Sequence, residues 1–248
     1  MPQRGRMETD MLFRYLLEQN FINVYVLTVL SVILCIVVPY FLGSLNFGVI
    51  LSRRLYGEDV RAKGSGNAGS TNMLRNYGKK AAGLTLLGDA LKTVVSCAFG
   101  IGIYGVYGAY LAGLFCILGH MFPVYFRFKG GKGIVCLAVM ILMTDWRVFL
   151  ILFAIFLIIV LGTKYVSLGS VIGAMLYPLI LNRINRGTEN AVRSVEFIAI
   201  VIACFVVFMH RENIKRLYHG TESKLSFRKK KKEETAKKAD GEEKHDGR

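Results

Sequence analysis

Three stretches of this chain combine residue types and spacings that suit phosphate chemistry. The first is Gly43-Ser44-Leu45-Asn46-Phe47-Gly48, followed by Arg61-Ala62-Lys63-Gly64-Ser65-Gly66-Asn67-Ala68-Gly69-Ser70-Thr71-Asn72 and then Arg75. Small residues let successive backbone N–H groups point into one space, a nest for an oxyanion or a phosphate. Ser65, Asn67, Thr71 and Asn72 add side-chain donors, Gly66 adds backbone freedom, and Arg61 and Lys63 add charge. A flexible linker is the plainer account of a Gly-Ser-Asn run. Basic residues bracket this one, however, and apolar segments flank it.

The second stretch is Gly119-His120-Met121-Phe122-Pro123, then Lys129-Gly130-Gly131-Lys132-Gly133. Two cations on a backbone with almost no steric bulk make a compact anion loop. It is not a Walker A motif: residue 133 is Gly where Ser or Thr is required, and residue 126 is Phe where Gly is required. If the loop opens a helix near Ile134, the helix N-terminus adds its own positive end. A loop that merely answered to a positive-inside bias would need the lysines but not three glycines. The third stretch is His210-Arg211-Glu212-Asn213-Ile214-Lys215-Arg216. His210 and Asn213 are three apart and share a helix face, although a lone His at a membrane boundary is ordinarily a cap. Ser167 and Ser170, in Tyr165-Val166-Ser167-Leu168-Gly169-Ser170, are weaker candidates, since helix packing is the default role for such hydroxyls. Asp89 and Lys92 share a face inside an apolar segment, where charges must pair with each other or line a site.

The elements that position these residues are membrane helices. The chain has 248 residues, 53% of them hydrophobic, with a mean hydropathy of +0.43. Apolar runs cover residues 21–42, 81–100, 101–118, 134–143, 148–161, 166–181 and 195–209, and about 20 apolar residues in a helix span a bilayer. The spacing predicts an all-α bundle of about seven transmembrane helices, several of them short. Residues 1–20 read as a polar lead-in, 21–220 as the membrane domain, and 221–248 as a disordered basic tail carrying Lys229 to Lys232. Residues 1–210 hold 19 Lys/Arg against 9 Asp/Glu, and these crowd into short loops. With the N-terminus outside and the C-terminus in the cytoplasm, eleven basic loop residues fall inside and seven outside, before the tail adds its own. Every Gly-rich or His-bearing loop then lies on the cytoplasmic side, as one composite site requires.

Several classes are excluded by absence. The net charge of +15 does not read as nucleic-acid binding, because most of the chain is hydrocarbon-compatible. The five cysteines sit in apolar runs without Cys-x-x-Cys spacing, so neither zinc nor a disulfide framework is expected. There is no Asp-rich metal motif and no Gly-x-Ser-x-Gly elbow, so neither a metal nor another cofactor is expected. Acyl-CoA-dependent glycerolipid acyltransferases use a His and an Asp with four residues between them. Counting on from His120, His210 and His219 gives Tyr125, Lys215 and Lys224 instead.

Together, Gly-Ser-Gly-Asn, Gly-His-x-Phe-Pro with Lys-Gly-Gly-Lys-Gly, and His-Arg-Glu-Asn resemble one family, spread in its order over residues 40–220. It is the bacterial acyl-phosphate:glycerol-3-phosphate acyltransferases. The family usually has Pro where this chain has Asn46, and the Lys-rich tail is an addition to its pattern. The resemblance implies a seven-helix bundle in the bacterial inner membrane with its active site at the cytoplasmic face. It also implies acyl transfer from acyl phosphate to the 1-hydroxyl of glycerol 3-phosphate, giving lysophosphatidic acid for phospholipid synthesis. An acyl phosphate is already an activated anhydride, so binding two anions and orienting one hydroxyl supplies much of the catalysis. By the same analogy Ser44 and Asn213 hold the acyl phosphate and its developing oxyanion, and Lys132 takes phosphate. His210 orients the attacking hydroxyl or accepts its proton. Arg61, Ser65, Gly66, Asn67, Thr71, Asn72, His120, Lys129, Gly130, Gly131, Gly133, Ser167 and Ser170 complete the substrate-binding set. The partners expected are the two substrates and membrane lipids, with the protein acting as a monomer. The rival reading is a transporter of phosphorylated metabolites, which calls for phosphate loops on both membrane faces and inverted repeats. Neither is found in the sequence.

Overall fold

The computed structural model describes residues 24–186 and 192–225. The polar lead-in 1–20 with the basic residues counted there, the side chain of Arg193, and the lysine run 229–232 lie outside what can be described. Among the described residues the chain is helical throughout: α1 (Val24–Gly43), α2 (Phe47–Tyr56), α3 (Ser70–Met121), α4 (Ile134–Thr144), α5 (Trp146–Thr163), α6 (Val166–Asn185), α7 (Val192–Met209) and α8 (Arg211–Tyr218). Four helical stretches are long and apolar enough to cross a membrane, five if α7 and α8, bent by 57° at His210, count as one. Their outward faces are apolar: Val29, Ile33 and Val37 on α1, and Ile158 and Leu161 on α5, are all exposed. Water would penalise such a surface, and lipid does not.

The breaks between elements follow local chemistry. After α1, Asn46 caps α2 by accepting from the Val49 amide at 3.3 Å, so the position where the family usually has Pro is here a polar helix start. Gly57, with φ at 69°, closes the same helix. Asp145 caps α5 through the amides of Arg147 and Val148.

The long α3 is broken at Gly78 and again at Tyr104–Gly105, and at the second break it doubles back. Thr93 and Cys116, about 35 Å apart along one straight helix, approach to 3.7 Å between Oγ1 and Sγ. The two limbs touch through Gly100 and Gly108, where a Cβ on either would lie 2.2 or 2.1 Å from the other's carbonyl oxygen. Sequence periodicity puts this boundary between residues 100 and 101; the turn comes four residues later, because Gly100 is needed for the contact and Gly105 takes the positive φ of 60°. The main core lies where α3, α4, α6 and α7 meet, around Ile117, Met121, Met140, Tyr177, Ile202 and Val206. A second small core of Val49, Val60, Ala68, Met73 and Ala81 holds the first glycine-rich loop against α2 and α3.

Candidate active site

The first loop is organised from inside by Asn72, which is 1% exposed. Its Nδ2 donates to the carbonyls of Val60, Lys63 and Asn67 at 2.9–3.0 Å, and its Oδ1 accepts from the Ser65 amide and from Asn76. Gly64 and Gly66 take positive φ so that the chain can wrap this side chain. The loop ends at Gly69, where α3 begins. Ser70 and Thr71 therefore present the first amides of a helix, which have no carbonyl one turn behind to bond.

Arg61 ties this loop to the second one. Its guanidinium holds Asp59 at 2.7–2.9 Å and donates to the carbonyls of Phe126 (3.0 Å) and Lys129 (2.6 Å). Hydrogen bonds from Arg61 hold the Asp59 carboxyl well below the usual carboxylate range. Within the second loop, the amides of Gly130 and Gly131 bond back to the carbonyls of Met121 and His120. A Cβ at Gly130 would lie 2.0 Å from the His120 carbonyl oxygen, and one at Gly131 2.1 Å from His120 Nε2. Those two glycines are thus required for packing. Gly133 caps α4 with φ at 75°.

His120 is itself held from below. Lys92 Nζ lies 2.9 Å from His120 Nδ1 and 2.9 Å from Asp89 Oδ1, and donates to the carbonyls of Gly43 and Leu45 at the end of α1. Both side chains of the Asp89–Lys92 pair are 2% exposed. The pair therefore joins the break after α1 to the base of the second loop, and Asp89 also faces the cavity described next.

The third stretch closes the site. Lys132 Nζ donates to Asn213 Oδ1, and Asn213 Nδ2 donates to Glu222 Oε1 at 2.7 Å. Glu222 also accepts from Ser167 (2.7 Å) and Arg216 (2.8 Å). Burial raises the Glu222 pKa, but hydrogen bonds from Arg216, Ser167 and Asn213 outweigh it and hold the carboxyl below its ordinary value. Burial pushes Lys132 down to about 8, helped by Arg216 and Arg75 and opposed by Glu222. His210, beyond the last residue of α7, is pushed down to about 4 by burial and then by the Lys132 charge. Its Nδ1 lies 2.8 Å from the Val206 carbonyl. A carbonyl can only accept, so that nitrogen carries the proton and Nε2 keeps its lone pair.

These residues surround one cavity of about 520 Å³. Its polar end is lined by Ser65, Asn67, Ser70, Thr71, Asn72, Arg75, His120, Lys132, Ser167, Ser170, His210, Asn213 and Glu222. The other end is apolar, between Leu137, Ile141 and Leu142 of α4, Phe149, Leu152, Phe153 and Phe156 of α5, and Gly173 and Ala174 of α6. Such a shape takes an anionic head with a hydrocarbon tail. Among the described residues no three His, Cys, Asp or Glu side chains converge as metal ligands would.

Comparison with known proteins agrees with that shape. The family model described as glycerol-3-phosphate acyltransferase matches residues 33–220, about three quarters of the chain. The chain belongs to the glycerol-3-phosphate acyltransferase family. It is 42% identical to the glycerol-3-phosphate acyltransferase of Finegoldia magna, over 76% of this chain and 93% of the relative. It is 37% identical to that of Clostridioides difficile, over 81% and 98%. Two crystal structures of PlsY (YgiH), an integral membrane glycerol 3-phosphate acyltransferase, share its fold. The glycerol 3-phosphate form gives a TM-score of 0.72 at 35% identity, and the lysophosphatidic acid form 0.70 at 33%, each covering 79% of this chain and 96% of the other. The protein is thus an acyltransferase built as an integral membrane helical bundle.

Within this acyltransferase, the expected residues divide into those at the cavity and those beneath it. Ser65, Asn67, Thr71, Asn72, His120, Lys132, Gly133, Ser167, Ser170, His210 and Asn213 line it. Arg61, Gly66, Lys129, Gly130 and Gly131 lie outside the lining. Lys129 is exposed, and Arg61 braces the loop as described. Ser44 also lies off the cavity: it is fully buried, donates to the Tyr40 carbonyl at 2.9 Å and accepts from the Val124 amide at 3.4 Å. Its hydroxyl joins the end of α1 to the start of the second loop, and it is not among the residues that line the cavity. Sequence reasoning overlooked Glu222 by assigning residues 221–248 to a disordered tail. Residues 221–225 instead pack on the bundle, with Leu225 N bonded to the Lys164 carbonyl at 2.7 Å. The available signal was that Glu222 is the only acidic residue between Glu212 and Glu233. Arg75, next to the first motif, also lines the cavity.

Proposed function

We propose that this acyltransferase takes its acyl group from an acyl phosphate and passes it to the 1-hydroxyl of glycerol 3-phosphate, releasing lysophosphatidic acid and inorganic phosphate for phospholipid synthesis. The observation that carries this reading is a cavity with a cationic, amide-rich end and an apolar end. The anionic head is met by Arg75 and Lys132 and by the first amides of α3, and the acyl chain lies between α4, α5 and α6. The hydroxyl oxygen attacks the acyl carbonyl carbon, the bond from that carbon to the phosphate oxygen breaks, and phosphate leaves with the electron pair. His210 Nε2 accepts the hydroxyl proton, for which its neutral state at ordinary pH fits it. Asn213, held by Lys132 and Glu222, stands beside the developing oxyanion. Ser44, bonded to Tyr40 and Val124, acts as a positioning residue.

Counting α3 as two passes and including the short α4, seven segments cross the membrane. The N-terminus is outside and the C-terminus inside, which supports a site at the cytoplasmic face of the bacterial inner membrane. The protein is taken to act as a monomer. Purified protein given radiolabelled glycerol 3-phosphate tests the donor. Labelled lysophosphatidic acid should form with palmitoyl phosphate and not with palmitoyl-CoA or palmitoyl-acyl carrier protein. Turnover with either thioester and none with the acyl phosphate would overturn the reading.

A further inference from the structure

Gly169 and Gly173 are one turn apart on α6 and lie on the same side of the helix, towards the cavity. Their surroundings differ. A Cβ on Gly169 would lie 2.9 Å from the Phe156 ring and 3.0 Å from Val160, so α5 closes onto that glycine. A Cβ on Gly173 would meet no atom within 4 Å. Glycine inside a helix weakens it, and at residue 173 neither a positive φ nor a close contact explains its presence. What the missing side chain leaves is open cavity, opposite α4 and α5. On that side Leu142 and Phe153 are 47% and 44% exposed, so this half of the cavity opens towards lipid.

We propose that Gly173 is a specificity-determining residue, whose missing side chain keeps the acyl passage wide enough for a long chain. The proposal rests on the reading that the acyl group occupies the apolar half of the cavity. Ser170, at the polar end, is three residues away, about 4.5 Å along the helix axis. An acyl chain extending from the reaction centre therefore passes residue 173 within its first few carbons. A side chain there would exclude the methylenes beyond that point, and each buried methylene contributes enough that losing a few costs about tenfold or more in kcat/KM.

The test is a series Gly173→Ala, Gly173→Leu and Gly173→Phe in the full-length protein, with Gly162→Leu as control. Gly162 is exposed on α5, off the cavity, and has no neighbour within 4 Å. Each variant is assayed with octanoyl and palmitoyl phosphate, and its melting temperature is recorded. Gly173→Leu should lower kcat/KM for palmitoyl phosphate by about tenfold or more and that for octanoyl phosphate by less, because fewer of its methylenes lie beyond residue 173. Gly173→Ala should shift the same ratio less, and the control not at all. A folded Gly173→Leu with the parent's ratio, or with equal losses on both donors, overturns the proposal. If the larger variants do not fold, an unchanged ratio in Gly173→Ala overturns it. If the unmodified protein uses neither acyl phosphate, the donor reading has failed. The passage is then tested by melting shifts with octanoyl- and palmitoyl-lysophosphatidic acid, where a larger loss of the palmitoyl shift than of the octanoyl shift in Gly173→Leu supports the proposal and equal losses refute it.

Discussion

Lys132 and Asn213, 81 residues apart, meet side chain to side chain, with the lysine ammonium donating to the carboxamide oxygen. The bond fixes the carboxamide so that its Nδ2 points at Glu222, and it joins the glycine-rich loop before α4 to the short helix after α7. The ammonium keeps two further protons for an anion.

This contact makes the two substitutions interdependent. Lys132→Ala should weaken binding of a phosphate-bearing substrate by roughly 10- to 150-fold, the scale of a charge-assisted bond worth ~1.5–3 kcal/mol. Asn213→Ala and His210→Ala should each lower turnover by about two orders of magnitude or more. Lys132→Ala with Asn213→Ala should be less damaging than the product of the singles, since residues in contact do not act additively. Initial rates on the singles and the double decide this, and strict additivity would remove the contact from the mechanism.

The pH profile should be set by Lys132 on its alkaline side. Its pKa is pushed down to about 8 from 10.5, so its charge is complete below that pH and lost above it. Activity should decline as pH rises through about 8, and Lys132→Arg should carry the decline to higher pH, because guanidinium stays charged. His210 is pushed down to about 4 from 6.5, so it remains neutral across the working range. The folded state disfavours its protonation, so its contribution to stability is present above about 6.5 and fades as pH falls towards 4. Rates and melting temperatures across pH check both.

Gly131→Ala should impair catalysis out of proportion to the change. The added methyl group would lie 2.1 Å from His120 Nε2, whereas Gly162→Ala meets nothing. We expect the first to cost tenfold or more in kcat/KM and the second to leave activity unchanged. Equal activity in both variants would show that the loop does not rest on His120.

The Asp89–Lys92 pair should respond differently to single and double substitution. Lys92→Met leaves the buried Asp89 carboxylate with His120 Nδ1, 3.4 Å away, as its remaining ion partner, a loss of up to about 3–5 kcal/mol. Asp89→Asn combined with Lys92→Met removes both charges and should recover part of that stability. Thermal unfolding in detergent measures it; a double variant no more stable than Lys92→Met would contradict the pairing.

The C-terminal boundary of function should fall after residue 225. Truncation after Leu225 keeps Glu222 and the bond to Lys164, and should retain activity. Truncation after Thr221 removes the carboxylate that orients Asn213 and Ser167 and should abolish it. Comparable rates from the two products would separate Glu222 from the site.

Much of this arrangement was written locally in the chain. The apolar runs specify membrane helices because hydrocarbon leaves backbone groups no other way to bond. Gly64, Gly66 and Gly133 announce turns that only glycine enters readily. The spacing of His210 and Asn213 predicts one shared helix face; the helix instead breaks at His210, with Asn213 in the next helix, and both line the cavity. These signals survive without tertiary information because each depends on residues within one turn or one loop.

What the sequence could not determine is which groups meet across long separations. Arg61 and Lys132 are both cations in glycine-rich loops, yet Arg61 braces the second loop through Asp59 and two carbonyls, and Lys132 enters the cavity. Ser44 and Ser167 look alike in sequence, but the first joins the end of α1 to Val124 off the cavity lining and the second bonds Glu222 at the cavity wall. Residue types and spacings pointed to anion-binding loops in a membrane bundle, and the resemblance to a family supplied the enzyme. The tertiary structure decided which polar groups face substrate and which hold the backbone, because a buried donor must bond to whatever acceptor the packing of distant helices brings within reach.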